Sequence, residues 1–363
     1  MARWLPQFCA LEGPGESHLD KEAGVNSADR IFADMTTVAV IGAGVVGRRV
    51  ARQLAASGLV DRLVLGSRRP QRLHGFVRQL LDVDVEVISP GPLPSSDVTV
   101  LTQPAGGHGE LAEEALGNGS HIVSVSDSVT DVQALLNLDA AASKAERSVI
   151  IGAAFSPGLS CLLARHAGSR FESVEEVHVA RMGTGGPACQ RQLHRARTKE
   201  AIDWRDGDWR KLPGGTGREL VWFPDPLGAR DCYRAALPEA LLLSSSFPDA
   251  DRITSKIAGT RRDRVTAWLP MLRSPHSDGG PGAVRIEIRG VRDGTQTTDV
   301  IGAIDYPSAV AGAVTAIATE WLILDTLPPG SWSLGMLGDP IPWLQELEQR
   351  GITGAVYEGI STN

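Results

Sequence analysis

Cysteine is scarce in this chain, and its placement argues against the cysteine-dependent classes of protein. Only four are present, none in a CxxC pair: Cys9, Cys161, Cys189 and Cys232. A disulfide framework or a structural zinc site is therefore not expected, and the expected compartment is the reducing cytoplasm. No spacing of histidine, cysteine and carboxylate residues indicates another metal, so we predict no metal site.

Long apolar runs, repeats and excess positive charge are also missing. The most apolar stretch, from Tyr306 to Leu324, is interrupted by polar residues and predicts a buried helix rather than a membrane span. No repeat recurs at a fixed period. Acidic residues outnumber basic ones by 43 to 36, giving a formal net charge of -7, so binding to nucleic acid or to an anionic membrane is not expected.

What is present is the composition of a soluble globular protein. Hydrophobic residues make up 42% of the chain and charged residues 22%. Its 363 residues suggest two domains, at roughly 150 residues per domain. Residues 1–34 lack both signal-peptide features and sustained periodicity, so we predict a poorly ordered extension there.

A strand, a glycine turn and a helix follow that extension. Val38 to Ile41 is typical of a strand buried on both faces, and the helix ends at Gly58. Between them lies a GxGxxG motif, formed by Gly42, Ala43, Gly44, Val45, Val46 and Gly47. In a dinucleotide-binding domain these glycines permit the turn, the approach of backbone to pyrophosphate, and close helix packing. We therefore predict a dinucleotide site; the alternative is an ordinary glycine turn.

The end of the second predicted strand favours NADP(H) over NAD(H). An NAD-binding domain has an acidic residue about 20 residues after the glycines, where it binds the ribose 2′-hydroxyl. Here the strand is followed by Ser67, Arg68 and Arg69, with no carboxylate. The hydroxyl can donate to a 2′-phosphate and the guanidinium groups can neutralise it. The alternative is that both arginines form only a solvated basic turn.

Strands and helices go on alternating to residue 151, which predicts an α/β fold with a Rossmann-type doubly wound parallel sheet. Helices are predicted near 71–81, 109–117 and 131–145. Ligands of such sheets bind beyond the carboxyl ends of the strands. This rule selects Gln103, Pro104 and Ser126 for cofactor binding and Asp127 for catalysis.

This pattern resembles the saccharopine dehydrogenase-like family of NAD(P)-dependent oxidoreductases. The resemblance covers residues 36–167 and again 283–350, and its most distinctive part is Gly152 to Ser160; the other segments are Val38 to Gly47, Gln103-Pro104 and His121 to Asp127. It implies an inserted α+β domain, an active site in the cleft between the domains, and a homodimer. Family members oxidise or reduce the carbon-nitrogen bond of opine-like secondary amines.

The resemblance and the alternation together predict four segments. Residues 35–155 form the NADP-binding Rossmann domain, and 156–306 an α+β substrate and dimerisation domain with hairpins at Asp206-Gly207 and Asp293-Gly294. Residues 307–363 form a helix and tail that pack back on the Rossmann domain. The extension at 1–34 is the fourth segment.

A polar segment after residue 182 is the main substrate-side candidate. Gly183 to Pro187 allows close backbone approach, and the following arginines can hold a substrate carboxylate. If that segment is helical, Arg191, His194 and Thr198 share one face; the alternative is an exposed basic helix. The residues assigned to substrate binding are Ser156, Arg181, Gln190, Arg191 and Arg197.

Three residues are candidates for catalysis. Asp127 either acts on substrate or caps the next helix. His108 follows two glycines beside the expected nicotinamide, or simply begins a helix. His194 belongs to the polar segment after residue 182.

These residues predict an NADPH-dependent reductase of a C=N bond formed between an amine or amino acid and a carbonyl compound. An iminium ion accepts hydride without a strong general acid, and Asp127 can stabilise its charge. Two alternatives stay open. A ketone or aldehyde reductase would need an acid to protonate the alkoxide, and an NADPH-sensing protein would bind the cofactor without turnover.

Overall fold

The computed structural model of the protein describes residues 2–4, 35–271, 274–352 and 354–357. Apart from a short strand at 2–4, the predicted extension at 1–34 lies outside the described residues. None of the helices in these ranges combines the length and the apolarity needed to cross a bilayer.

The first sheet is parallel, and it forms because short runs such as Val38 to Val40 are buried on both faces. Within the described residues it has seven strands. In spatial order these are β16 (Gly330–Ser333), β7 (Ser148–Ile151), β6 (His121–Ser124), β5 (Val98–Leu101), β2 (Thr37–Ile41), β3 (Arg62–Gly66) and β4 (Asp84–Ile88). After β2 the chain adds β3 and β4 toward one edge of the sheet, and after β5 it adds β6 and β7 toward the other edge. The topological switch point therefore lies between β2 and β5. The predicted fold class is confirmed.

The helices of this half follow the strands in alternation. They are α1 (Val45–Ser57), α2 (His74–Val77), α3 (His108–Gly117), α4 (Val129–Leu136) and α5 (Asp139–Lys144). Gly58 ends α1 with a φ of 70°, as predicted. The helix predicted near 71–81 is only a 3-10 turn at Pro70–Leu73 followed by α2, and the one predicted at 131–145 is divided into α4 and α5.

The second sheet is mixed and has ten strands among the described residues. Its main path is β1 (Ala2–Trp4), β17 (Gly354–Tyr357), β15 (Thr295–Asp305), β14 (Gly282–Arg292), β8 (Ser173–Met182), β13 (Arg252–Ala258), β12 (Gly228–Arg234) and β11 (Glu219–Phe223). Beside β13 lies a hairpin of β9 (Ala201–Arg205) and β10 (Asp208–Leu212). The turns at Asp206-Gly207 and Asp293-Gly294 have positive φ, as the predicted hairpins require.

Helix α6 (Leu159–Gly168) links the two halves and packs on the buried face of β8, β14 and β15. Val177, Val179 and Ile286 are among the residues buried on that face. The other helices of the second half are α7 (Pro187–Ala196), α8 (Glu239–Ser244) and α9 (Arg261–Thr266).

The end of the chain returns to both sheets. Helix α10 (Pro307–Ile323) packs on α1, where Gly312 lets Arg49 approach: an added Cβ would lie 2.7 Å from that of Arg49. Helix α11 (Ile341–Gln349) packs on α10 and α6. The tail predicted to lie on the Rossmann domain is in fact divided, because β16 extends the first sheet whereas β17 pairs with β15 in the second.

Candidate functional site

The glycine turn between β2 and α1 has the geometry that a bound pyrophosphate needs. Gly42 has a φ of 110°, and an added Cβ would lie 2.4 Å from the backbone nitrogen of Gln103. A Cβ on Gly47 would lie 2.4 Å from the carbonyl oxygen of Gly42, so Gly47 serves helix packing. At Gly44 the nearest atom to an added Cβ is 3.9 Å away, and no side chain caps the helix that follows. The first amides of α1 are therefore left for an anion.

A cavity of about 890 Å³ opens beside this turn. The first half contributes the residues at the carboxyl ends of β2, β3, β5 and β6, and the second half contributes Ser156, Arg181 and the N-terminal part of α7. The lining includes six arginines: Arg48, Arg68, Arg69, Arg72, Arg181 and Arg191. Among the described residues, Asp127 is the one carboxylate in the lining. The cavity therefore suits a ligand with several negative charges.

At one end of the cavity, the loop after β3 is shaped to receive an anion. The Ser67 amide donates to the carbonyl of Ile88 (3.0 Å), and the Ser67 hydroxyl accepts from the Arg69 amide (3.1 Å). The side chains of Arg68 and Arg69 are exposed, and no carboxylate in the described part of the chain lies within 4.0 Å of their guanidinium groups. These residues fit a ribose 2′-phosphate.

Gln103 provides an unpaired polar group near the glycine turn. Its side-chain oxygen and nitrogen are both buried, and neither has a hydrogen-bond partner in the described residues. An unpartnered buried amide costs free energy, which a complementary group in the cavity would recover. The carboxamide of a nicotinamide ring is such a group, because it carries an acceptor oxygen and a donor NH2 as the glutamine does.

The other end of the cavity is organised around Asp127, which follows β6. Its Oδ2 lies 3.3 Å from the Arg181 Nη1 and 3.8 Å from the Cys189 Sγ, while its Oδ1 accepts a short hydrogen bond from the Gln192 amide. The Asp127 side chain is 12% exposed and that of Arg181 is 3% exposed. Burial raises the pKa of the Asp127 carboxyl, and Arg181 opposes that rise. Asp127 does not cap α4, because the Ser128 side chain does.

A second carboxylate lies behind this group, outside the cavity lining. Glu239, the first residue of α8, is fully buried, and its Oε1 accepts from the Ser156 hydroxyl (2.6 Å). Arg181 also donates to the carbonyl oxygen of Ser156, which joins the two carboxylates through one serine. Burial raises the pKa of Glu239, and Arg181 opposes that rise.

The two histidines predicted to be catalytic, His108 and His194, are not part of the cavity lining. His108 is fully buried, with Nδ1 2.9 Å from the Ser124 hydroxyl and Nε2 3.3 Å from the Gln103 carbonyl; burial lowers its pKa. His194 Nε2 lies 2.8 Å from the carbonyl of Leu269. Both rings hold loops in place, so we withdraw them as catalytic residues.

Three of the five residues assigned to substrate binding lie in the cavity lining. Ser156, Arg181 and Arg191 line the cavity, and the Nη1 of Arg181 is engaged with Asp127. Gln190 accepts from the His276 amide (3.2 Å) and Arg197 donates to the carbonyl of Ala258 (2.9 Å). Neither of these two lines the cavity, because both side chains tie α7 to neighbouring segments.

The cofactor-side predictions fare better, since all but Gly47 line the cavity. Ser126, however, contributes no free hydroxyl, because its Oγ donates to Asp131 (2.7 Å). The lining members are Gly42, Ala43, Gly44, Val45, Val46, Ser67, Arg68, Arg69, Gln103, Pro104 and Ser126.

Of the predicted face of α7, Arg191 alone lines the cavity. Cys189 and Gln192, three residues apart, point to Asp127, whereas Thr198 lies beyond the end of the helix. Cys189, Gln192 and Glu239 are functional candidates that the sequence reasoning missed. The sequence did contain a signal for Cys189 and Gln192. Leu193 and Ala196, three residues apart, form the buried face of the helix, and helical geometry puts positions 189 and 192 beside that face.

Comparison with known proteins agrees with this geometry. Residues 37–128 match the sequence model of the family described as NADP oxidoreductase, coenzyme F420-dependent. No curated protein sequence matches the chain.

Solved structures were compared with the chain, and the first of them shows the fold of most of it. Saccharopine dehydrogenase (L-Glu forming) from Saccharomyces cerevisiae, in its apo form, has 15% sequence identity and a TM-score of 0.67, over 89% of this chain and 100% of that one. DAP dehydrogenase from C. glutamicum, in complex with DAP, has 15% identity and a TM-score of 0.49, over 85% of this chain and 95% of that one. The chain thus has the fold of saccharopine dehydrogenase, which agrees with the resemblance found in its sequence.

Proposed function

We propose that the protein is an NADPH-dependent oxidoreductase that reduces a C=N bond formed between an amine or amino acid and a carbonyl compound. Three features support the oxidoreductase: the glycine turn, the match of residues 37–128, and one cavity that extends from that turn to Asp127. The exposed arginines after β3, in a position without a carboxylate, support NADPH over NADH.

The amides at the start of α1 would hold the pyrophosphate, Ser67 with Arg68 and Arg69 the 2′-phosphate, and Gln103 the nicotinamide carboxamide. When bound, NADPH supplies a hydride. The chain itself orients the substrate and excludes water from the end of the cavity at Asp127.

The residue types in the cavity lining favour a C=N bond over a C=O bond as the group that is reduced. Among the described residues, no histidine, lysine or tyrosine lines the cavity, so no ordinary proton donor stands beside the reacting atoms. An iminium ion needs none, because its nitrogen already bears a proton and a positive charge. Asp127 stabilises that charge, and Arg191, an exposed arginine of the lining, attracts an acidic substrate.

Affinity for the two coenzymes tests the cofactor assignment. Replacement of Arg68 and Arg69 by alanine removes two charge-assisted contacts, so we expect NADPH to bind at least about tenfold more weakly and NADH to bind as before. Arg78→Ala is the matched control, because Arg78 is an exposed arginine at the end of α2 that does not line the cavity. Titration calorimetry gives both dissociation constants, and equal or tighter NADH binding by the unmodified protein would refute the assignment.

NADPH consumption tests the reaction. Pairs of amines and carbonyl compounds should support NADPH oxidation that the carbonyl compounds alone do not support. The raised pKa of the Asp127 carboxyl favours one second candidate, a ketone or aldehyde reductase in which protonated Asp127 donates to the alkoxide. Turnover of carbonyl compounds without any amine would select that second reaction.

Two further expectations stay predictions. The homodimer implied by the sequence resemblance is checked by light scattering of the purified protein. The cytoplasmic location rests on cysteine usage and is checked by fractionation of cells.

A further inference from the structure

Arg181 lies in β8 between two carboxylates from different parts of the chain, Asp127 in the cavity lining and the fully buried Glu239. Asp127 approaches it from the loop after β6, at 3.3 Å. Glu239 approaches from α8, and its Oε1 accepts from the hydroxyl of the same Ser156 whose carbonyl accepts from Arg181. The second oxygen of Glu239 is buried without a partner among the described residues. Glu239 is thus a buried acid that the proposed reaction leaves without a role.

Charges around this group do not balance if both acids are ionised. Cys189 faces Asp127 and Cys161 faces Glu239, but burial raises the pKa of each thiol to about 12, so both are neutral. Arg197 faces Arg181, and the carboxylate of Asp263 faces Arg197 in turn. One cation, Arg181, therefore remains to offset the two carboxylates.

A net negative charge in this place is costly, because burial removes the water that would solvate it. Two acids that share one counter-charge avoid that cost when one of them binds a proton. Burial raises the pKa of both Asp127 and Glu239, which agrees with this arrangement.

We propose that Asp127 and Glu239 hold one proton between them around Arg181, and that Glu239 is a positioning residue that sets how readily Asp127 accepts and returns a proton. The first part rests on the geometry alone. The second part rests on the proposed function.

The proposed reaction needs such a proton acceptor. A substrate ammonium group must lose one proton before its nitrogen can attack a carbonyl carbon: the N–H bond breaks, the electron pair stays on nitrogen, and the proton binds an oxygen of Asp127. Attack on the carbonyl carbon, with transfer of one proton from nitrogen to oxygen, gives a carbinolamine. Asp127 then returns its proton to the carbinolamine hydroxyl group as the C–O bond breaks, so water leaves and the nitrogen electron pair forms the C=N bond of the iminium. Asp127 is ionised again and faces the positive charge while hydride is transferred.

Infrared spectroscopy of the full-length protein at neutral pH tests the shared proton without any substrate. The protonated carboxyl group gives a C=O stretching band distinct from that of a carboxylate. Either Asp127→Asn or Glu239→Gln leaves one acid facing one guanidinium, so we expect each substitution to abolish the same protonated-carboxyl band. Glu110→Gln, at an exposed acid on α3, should keep the band.

Glu239→Gln retains an acceptor for the Ser156 hydroxyl, and Ser156→Ala provides a second check if the glutamine variant does not fold. The alanine variant keeps both acids, so it should keep the band. A wild-type spectrum without such a band, or a band lost in only one of the two acid variants, would overturn the shared proton.

The pH dependence of kcat tests the role of Glu239 in turnover. When Asp127 holds the shared proton it faces the negative charge of ionised Glu239. Glu239→Gln removes that charge and lowers the proton affinity of Asp127, so the upper limb of the profile, at which Asp127 loses its proton, should move down by about one pH unit. NADPH affinity should not change, since Glu239 does not line the cavity. An unshifted limb would overturn this role, and a protein without turnover but with the expected infrared bands would refute the proposed function alone.

Discussion

Asp127 joins the two halves of the protein at the level of single side chains. The residue belongs to the first half, but Arg181, Cys189 and Gln192, which surround its carboxyl group, all belong to the second. Gln192 also accepts from the amide of Ala105 (3.3 Å), so one glutamine contacts the loops after both β5 and β6. The position of the carboxylate therefore depends on how the halves meet.

Replacement of Asp127 by asparagine keeps the shape of the side chain and removes its charge and its proton. We expect turnover to fall by about 100-fold or more, which is the lower range for loss of an acid or base. NADPH affinity should change little, because the carboxyl group lies at the opposite end of the cavity from Arg68 and Arg69. Steady-state kinetics and calorimetry measure both, and unchanged turnover would remove Asp127 from the mechanism.

At the scale of elements, the loop of residues 274–281 positions the start of helix α7. Residues 274–281 lie against the segment that leads into α7: the Ser308 hydroxyl holds the loop at the Asp278 carbonyl (3.2 Å), and Gln190 accepts from the His276 amide. A Cβ on Gly279 would lie 1.7 Å from the carbonyl oxygen of Thr184. This contact fixes the start of the helix that carries Cys189 and Gln192.

Two neighbouring glycines in this loop give a matched pair of variants. Gly279 and Gly280 both have positive φ, but an added Cβ meets Thr184 at the first and nothing within 4 Å at the second. Gly280→Ala should lower the free energy of unfolding by about 1 kcal/mol, the cost of a left-handed conformation.

Gly279→Ala should lower the free energy of unfolding further and also raise KM, because it displaces the start of α7. Urea denaturation and steady-state kinetics measure the two effects. Equal behaviour of the two variants would show that the loop does not position the helix.

The sequence predicts elements well where the determining contacts are local. The glycine turn, the strand runs and the Asp-Gly hairpins depend on residues within a few positions of one another. The helix predicted at 131–145 is divided because Asp139 begins a new helix and its carboxylate accepts from the Ser331 amide of β16 (2.8 Å). A partner 192 residues away leaves no local pattern.

The same limit applies to the candidate site. Asp127 and the cofactor-binding residues could be predicted because a strand end defines their place. The orientation of α7 and the approach of Glu239 could not, since both depend on packing between the halves.

At the scale of the whole molecule, the dinucleotide-binding half is not a contiguous segment. Helix α10 covers β5 and β6 on the side of α1, and β16 pairs along the edge of β7. Val310, Val314 and Ile317 of α10 are fully buried by this packing. A fragment limited to residues 35–155 lacks both elements and exposes the apolar surface that they cover.

We therefore expect the 35–155 fragment to bind a hydrophobic dye, to unfold without cooperativity and to lack affinity for NADPH. The full chain is the control and should show the opposite behaviour. Dye fluorescence and urea denaturation compare the two, and a fragment that unfolds cooperatively and binds NADPH would contradict the dependence on α10 and β16.

The late position of β16 has a consequence for biosynthesis. Translation proceeds from the amino terminus, so β7 is synthesised and can fold long before its neighbour at 330–333 has been translated. For most of that interval the nascent sheet carries an unpaired edge, which invites pairing with other chains. We expect this protein to depend on chaperones during synthesis, because its nucleotide-binding half is completed only when β16 has been made, long after β7.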